Sequence, residues 1–101
     1  MIGRVIRHVV LFELAPGYDP AELADVQEGL RNLNRPGTVG YTIGNDLGLT
    51  EGTWTFGIVA DFADLESYRG YGEDPEHDAL RARLAAMATR VARVQFETPG
   101  R

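Results

Sequence analysis

The sequence predicts an α+β fold in which one four-stranded antiparallel sheet carries its helices on a single face. Four alternating, β-branched segments occur along the chain, one near each end and two in the middle. Capped helical patterns follow the first and the third of these segments. The chain has 101 residues, 44% of them hydrophobic and 25% charged, which predicts one globular domain over 1–101. Its predicted strands and helices, and therefore its core, span about 4–98.

The first predicted strand covers residues 4–14, where side chains alternate between two faces. One face is apolar except for His8, and the other mixes apolar and charged residues. The first face comprises Ile6, His8, Val10, Phe12 and Leu14. The second comprises Val5, Arg7, Val9, Leu11 and Glu13. A strand that is partly apolar on both faces is expected to be covered on both, and the second cover can be another subunit.

Helix-start signals follow this strand and recur later in the chain. Asp19 followed by Pro20 and Glu22 predicts a helix over about 20–33. Asp64 predicts a short helix of about two turns, which Gly70 and Gly72 weaken and end. Asp74 and Pro75 then predict a helix that runs to about residue 89.

The remaining strands are predicted at 38–45, 53–62 and 91–98. In the last strand, the more apolar set is expected to face the core: Ala92, Val94 and Phe96. The resulting order of strand, helix, strand, strand, helix, strand is the split βαβ arrangement called ferredoxin-like. Its helix-free sheet face exposes apolar side chains, and a two-fold symmetric, sheet-to-sheet homodimer is the simplest cover.

Composition excludes several kinds of function. A net charge of −5 argues against a nucleic-acid partner, and no apolar run approaches a membrane span. No signal peptide is recognised, so the expected location is cytoplasmic. The chain has no cysteine or lysine and a single serine, Ser67, which disfavours thiolate, Schiff-base and serine-nucleophile chemistry. Proton transfer by histidine, tyrosine or carboxylate remains, with no cofactor expected.

Three segments resemble the stress-responsive A/B barrel domain family, also called Dabb. They are the opening strand at 6–12 (IRHVVLF), the middle segments 61–62 and 65–68 (DF and LESY), and 74–77 (DPEH). The resemblance covers about 4–98 and implies a dimeric α+β barrel of two ferredoxin-like subunits. The family's frequent His-Pro-x-His is here DPEH, with aspartate at the first position.

One member type, the plant polyketide cyclase that makes olivetolic acid, is similar at three positions. The resemblance places its pocket histidine on His8, its catalytic tyrosine on Tyr71 and its catalytic histidine on His77. His77 in the first turn of a helix is disfavoured as a cation by the helix dipole, whereas neighbouring carboxylates favour the cation. A neutral His77 would serve as a base, Tyr71 would polarise a carbonyl, and His8 would help.

Each of these residues also has a plain structural interpretation. His77 can be an exposed helix-start residue, Tyr71 a packing residue with a surface hydroxyl, and His8 a satisfied core histidine. His8, His77 and Glu66 lack local metal-ligand spacing, so no metal is expected. The arginines assigned to the last helix, Arg81, Arg83 and Arg90, are typical of a solvated face.

Two main hypotheses follow. The first is a cofactor-free cyclase, lyase or isomerase that acts on a small hydrophobic or aromatic carbonyl compound. The pocket of this enzyme would be lined by Val10, Phe12, Ile58, Leu65 and Tyr68. The second is a non-catalytic dimeric domain, related to stress, that binds a ligand or supports an assembly. A cofactor-independent monooxygenase on the same barrel is a third possibility. A cavity of about 300 Å³ or more reached by His77 and Tyr71 would favour the enzyme.

Overall fold

The structure, a computed structural model, describes residues 3–100 and has the predicted α+β architecture. Seven elements follow one another along the chain: β1 (Arg4–Leu14), α1 (Pro20–Arg31), β2 (Thr38–Asn45), β3 (Phe56–Phe62), α2 (Leu65–Glu73), α3 (Pro75–Met87) and β4 (Ala88–Pro99). The strands form one antiparallel sheet in the order β2-β3-β1-β4. This is the ferredoxin-like fold that the sequence predicted.

The main core lies between the sheet and the helices. Apolar side chains from β1 and β3 pack there against the apolar stripes of α1 and α3. The buried members are Val10, Phe12, Leu14, Leu23, Val26, Leu30, Phe56, Ile58 and Leu84. A second buried cluster, Ala60, Phe62 and Tyr71, lies beneath α2. Burial of these side chains supplies most of the energy that holds the helices on the sheet.

Local signals set the helix starts as predicted, whereas all three helix ends differ from the prediction. α1 ends at Arg31 and not at about 33. Asp19 caps α1 by accepting a hydrogen bond from the backbone N–H of Ala21 at 2.9 Å. α2 continues through Gly70 and Gly72 to Glu73 instead of ending at the glycines. α3 ends at Met87, and β4 begins at once at Ala88. Packing on the sheet therefore outweighs the weak helix propensity of glycine in α2.

The assignment of faces in β4 was wrong. In the register with β1, Val94 lies opposite Val9 and Phe96 lies opposite Arg7, so both are on the helix-free face. Val94 is 53% exposed and Phe96 47% exposed. The helix-facing set is instead Val91, Arg93, Gln95 and Glu97. Apolar residues occur on both faces of this strand, so alternation alone cannot identify the inner face.

The helix-free face is called the open face below. It carries the apolar side chains of Val9, Leu11, Val59, Val94 and Phe96, and polar groups among them. The principal polar contact is a two-pronged ion pair in which Arg7 donates to both carboxylate oxygens of Asp61, at 2.8 and 2.9 Å. Nothing within residues 3–100 covers this face.

The arginine set does not form one solvated face. Arg83 joins α3 to α1 by donating to the carboxylates of Glu22 and Asp25. Arg90 lies on β4, where it pairs with Glu13 and stacks 4.5 Å from the ring centroid of Trp54. Arg81 lines the cavity described next.

Candidate functional site

The break between α2 and α3 is held by Asp74. Its backbone N–H donates to the carbonyl of Tyr71, and its carboxylate accepts from the N–H of Glu76 at 3.2 Å. Pro75, whose missing N–H is not needed at a helix start, begins α3. The sharp turn brings the ring centroids of Tyr71 and His77 to 4.0 Å from each other.

A cavity of about 340 Å³ lies between this corner and the helix-facing side of the sheet. His8 reaches it from β1, Tyr71 from α2 and His77 from α3. Its remaining lining residues are mostly apolar, with two arginines: Val10, Phe12, Leu30, Ile58, Tyr68, Gly72, Arg81, Leu84, Ala85, Val91 and Arg93. The three residues singled out in the sequence therefore face one space.

His77 is buried, being only 9% exposed, and is not a solvent-facing helix-start residue. Its Nδ1 has no hydrogen-bond partner among the described residues. Burial lowers the pKa of His77 below its usual value, and the charge of Arg81 lowers it further. Asp78 and Asp74 act in the opposite direction, but the net shift is downward. His77 is thus a neutral imidazole at neutral pH.

Tyr71 is 4% exposed, and its hydroxyl lies 2.7 Å from the hydroxyl of Tyr41 on β2. Burial raises the pKa of the Tyr71 hydroxyl well above its usual value, and the neighbouring phenol of Tyr41 adds to this shift. Tyr71 therefore stays protonated and can act as a hydrogen-bond donor. When Tyr41 donates to Tyr71, the Tyr71 proton remains free to point at a ligand oxygen.

His8 has a defined partner. Its Nδ1 lies 2.8 Å from the side-chain nitrogen of Gln95, which can only donate, so the proton of neutral His8 is on Nε2. Its ring centroid is 5.4 Å from that of Tyr68 and 6.3 Å from that of Tyr71. Burial, aided by the charge of Arg93 and by His77, lowers the pKa of His8 to about 4.

Four of the five predicted pocket residues line the cavity, and one does not. Val10, Phe12, Ile58 and Tyr68 are in its wall. Leu65 is 48% exposed and lies beside Pro36 and Glu66 on another part of the surface. The placement of Leu65 was wrong because it is the first residue of α2, directly after the cap Asp64, and this end of the helix lies at the exposed surface near Pro36 and not in the cavity wall.

Several polar residues of this region were not identified from the sequence. Tyr41 and Gln95 contact the predicted residues directly, while Arg81 and Arg93 line the cavity. Tyr41 and Gln95 lie on strands far from His8 in the sequence, so only the strand order and register reveal them. A signal for Arg81 did exist, because it is four residues after His77 and therefore on the same helix face.

No group of three or more histidine or acidic side chains in residues 3–100 is arranged to hold a metal ion. In the same part of the chain, none of the helices has the length and apolar character needed to cross a membrane.

Comparison with known proteins places the fold in context. The family model of the stress responsive A/B barrel domain, Dabb, matches residues 6–98. A dimeric ferredoxin-like protein of unknown function from Thermobifida fusca is similar at 34% identity and a TM-score of 0.87, with 95% of this chain and 92% of that chain covered.

Two structures with described activities share the fold at lower identity. The hydroxynitrile lyase from Passiflora edulis is 13% identical with a TM-score of 0.81, over 93% of each chain. SnoaB, a cofactor-independent oxygenase from Streptomyces nogalater, is 19% identical with a TM-score of 0.71, over 91% of this chain and 90% of that chain. No protein with a curated description matches the chain.

Proposed function

The chain belongs to the stress responsive A/B barrel domain family, and from the cavity within this fold we propose that it catalyses cofactor-free proton transfer on a carbonyl compound. The reaction class is that of a polyketide cyclase or lyase. The observation that carries the proposal is the placement of His77 and Tyr71 side by side in the wall of one largely apolar cavity.

His77 is the general base. It is neutral at pH 7 because burial lowers its pKa, and its Nδ1 is buried without a protein partner among residues 3–100, which leaves Nε2 as the nitrogen that takes the proton. In the proposed reaction His77 takes a proton from the carbon next to a carbonyl group. The electron pair of that C–H bond moves into an enolate, and the protonated imidazole later returns its proton to the product.

Tyr71 is the acid that polarises the carbonyl. Its raised pKa keeps it protonated, and the Tyr41 hydroxyl at 2.7 Å holds it in position. A hydrogen bond from Tyr71 to the carbonyl oxygen strengthens as negative charge develops on the enolate. His8 is a helper that borders the same space, and its contact with Gln95 holds its orientation.

The proposed assembly is a homodimer formed through the open face. That face exposes apolar side chains, and the similar protein from Thermobifida fusca is described as dimeric. Covering the face would complete an α/β barrel while leaving the cavity on the helix side of each sheet.

Two simple reactions test the proposal. One is exchange of the methyl protons of acetophenone for deuterium, followed by NMR, and the other is cleavage of mandelonitrile, followed through the absorbance of benzaldehyde. The wild-type protein is expected to accelerate at least one of them. His77→Ala should lower that rate by about 10²–10⁴-fold, and Tyr71→Phe should lower it by about tenfold or more.

Glu66→Gln is a suitable control, because Glu66 is exposed and lies outside the cavity wall. It should retain the wild-type rate. An unchanged rate in folded His77→Ala would refute the role of His77. If the wild-type protein accelerates neither reaction, the second hypothesis, a non-catalytic dimeric domain that binds a ligand, is favoured instead.

A further inference from the structure

We propose that the cavity takes ligands that join an apolar, ring-sized body to a carboxylate, and that Arg81 and Arg93 bind this carboxylate. This inference names the ligand class of the proposed site and rests on that cavity being the substrate site. It adds two specificity residues to His8, Tyr71 and His77.

The permanently charged side chains in the cavity wall are both positive. The chain has 15 acidic and 10 basic residues, yet no Asp or Glu of residues 3–100 is in the cavity wall, whereas Arg81 and Arg93 both are. Arg81 comes from α3 and Arg93 from the neighbouring strand β4. A cavity whose only permanent charges are positive is suited to an anion.

Within the described residues, the charge of Arg93 is available to a ligand. It forms no ion pair with a carboxylate in the described part of the chain, unlike Arg83 and Arg90. Arg81 does pair with Asp78, but both of these side chains are about half exposed. An exposed pair of this kind is weak and is readily exchanged for a better-placed ligand carboxylate.

The two positive charges also act on the histidines inside the cavity. The charge of Arg93 lowers the pKa of His8, and that of Arg81 lowers the pKa of His77. A carboxylate between the arginines would offset both effects. Binding of the proper ligand would therefore raise the pKa of His77 and make it a stronger base.

The remaining wall defines the other part of the ligand. Val10, Phe12, Ile58, Leu84 and Val91 line a space of about 340 Å³, which accepts a one- or two-ring body. The ligand class is thus an aromatic or similarly compact apolar acid that also carries the reacting carbonyl group.

A pair of nearly isosteric probes tests the inference. Binding of 2-naphthoate and of the neutral ketone 2-acetylnaphthalene to the full chain is measured by calorimetry at low salt. The carboxylate is expected to bind about tenfold more tightly than the ketone. Arg93→Gln and Arg81→Gln should each reduce this preference about three- to tenfold, with little change for the ketone.

Arg69→Gln is the matched control, because Arg69 is an exposed arginine of α2 outside the cavity wall. It removes the same charge and should leave the preference unchanged. Equal affinity for the two probes, absence of binding by either, or a preference that survives both arginine substitutions in folded protein would overturn the inference.

The outcome is separable from that of the proposed reaction. His77→Ala is expected to keep the preference for 2-naphthoate while losing proton exchange. If exchange proves independent of His77 but the arginine-dependent preference holds, the ligand class stands and the catalytic role fails. If exchange depends on His77 but the arginine-dependent preference is absent, the catalytic role stands and the proposed carboxylate ligand class fails.

Discussion

His8 and His77 border the same cavity, but their environments assign them different tasks. His8 accepts a hydrogen bond at Nδ1 from Gln95, so one of its nitrogens is committed to the protein. The Nδ1 of His77 has no such partner among residues 3–100. With its proton on the buried Nδ1, His77 keeps a lone pair on Nε2 that can take a proton, whereas the Nε2 of neutral His8 already carries one, which favours His77 as the base. His8 is the better candidate for a positioning role.

The pH dependence of stability tests the buried state of His8. Its pKa falls from 6.5 to about 4 on folding, so the unfolded chain binds more protons between these values. As far as His8 is concerned, the unfolding free energy therefore has its largest value above about pH 6.5 and decreases as the pH falls toward 4. From about pH 7.5 to about pH 5.5, the loss due to His8 should be about 1–1.5 kcal/mol.

Urea unfolding at fixed protein concentration measures this loss. His77 has a pKa shift in the same direction and adds to the slope, so the comparison needs a single-site control. His8→Gln removes one titrating group and should flatten the pH dependence by about the amount assigned to His8. A slope equal to that of the wild-type protein would contradict the buried, neutral His8.

At the scale of elements, β1 was predictable and β4 was only half predictable. β1 has a single polar residue, His8, on its core-facing side, and the structure places that side against the helices. β4 carries apolar residues on both sides, and its pairing with β1 includes a register shift between Glu13 and Leu14. Only the register with β1 shows that Val94 faces outward and Arg93 inward.

The same reasoning explains which parts of the candidate site were found. Tyr71 and His77 lie six positions apart around a recognisable cap and proline, so local signals brought them together. Tyr41 and Gln95 are not in the cavity wall but contact Tyr71 and His8, and strand pairing over long sequence distances places them there. Residue types and spacing contain no information about such pairing unless the fold and register are already known.

The turn before β2 requires glycine at position 37. Gly37 has a φ of +83°, and a Cβ at this position would overlap the side chain of Ser67 in the first turn of α2. Gly37 also accepts a hydrogen bond from the N–H of Ala63 at 2.8 Å, so it cannot move freely. Gly37→Ala should therefore lower the unfolding free energy by about 2–3 kcal/mol, as measured by urea unfolding.

Gly72→Ala is the matched control, because Gly72 lies inside α2 and a Cβ there meets no atom within 4 Å. This substitution should stabilise the protein by about 0.5–1 kcal/mol. A similar effect of the two substitutions would contradict the predicted overlap between a Cβ at position 37 and the side chain of Ser67.

At the scale of the whole molecule, the two sheet faces serve different purposes. The helix-facing side forms the core and the cavity, whereas the open face leaves Leu11 at 39%, Val59 at 40% and Val94 at 53% exposure. These side chains are neighbours across three strands, since Val9 pairs with both Val59 and Val94. A continuous apolar area of this kind is typical of an interface between subunits.

Val94→Glu tests the proposed dimer. Two copies related by a two-fold axis would each bring a carboxylate into an apolar interface, where burial and mutual repulsion oppose association. Sedimentation velocity at micromolar concentration should give twice the chain mass for the wild-type protein and the chain mass for the variant.

The control is Leu65→Glu, which also replaces an exposed apolar side chain by a carboxylate but lies away from the open face, and it should remain dimeric. A monomeric wild-type protein, or a dimeric Val94→Glu variant, would contradict assembly through this face. Because the cavity is on the other side of the sheet, a folded monomer is expected to keep its binding of 2-naphthoate, so the assembly and the site can be tested independently.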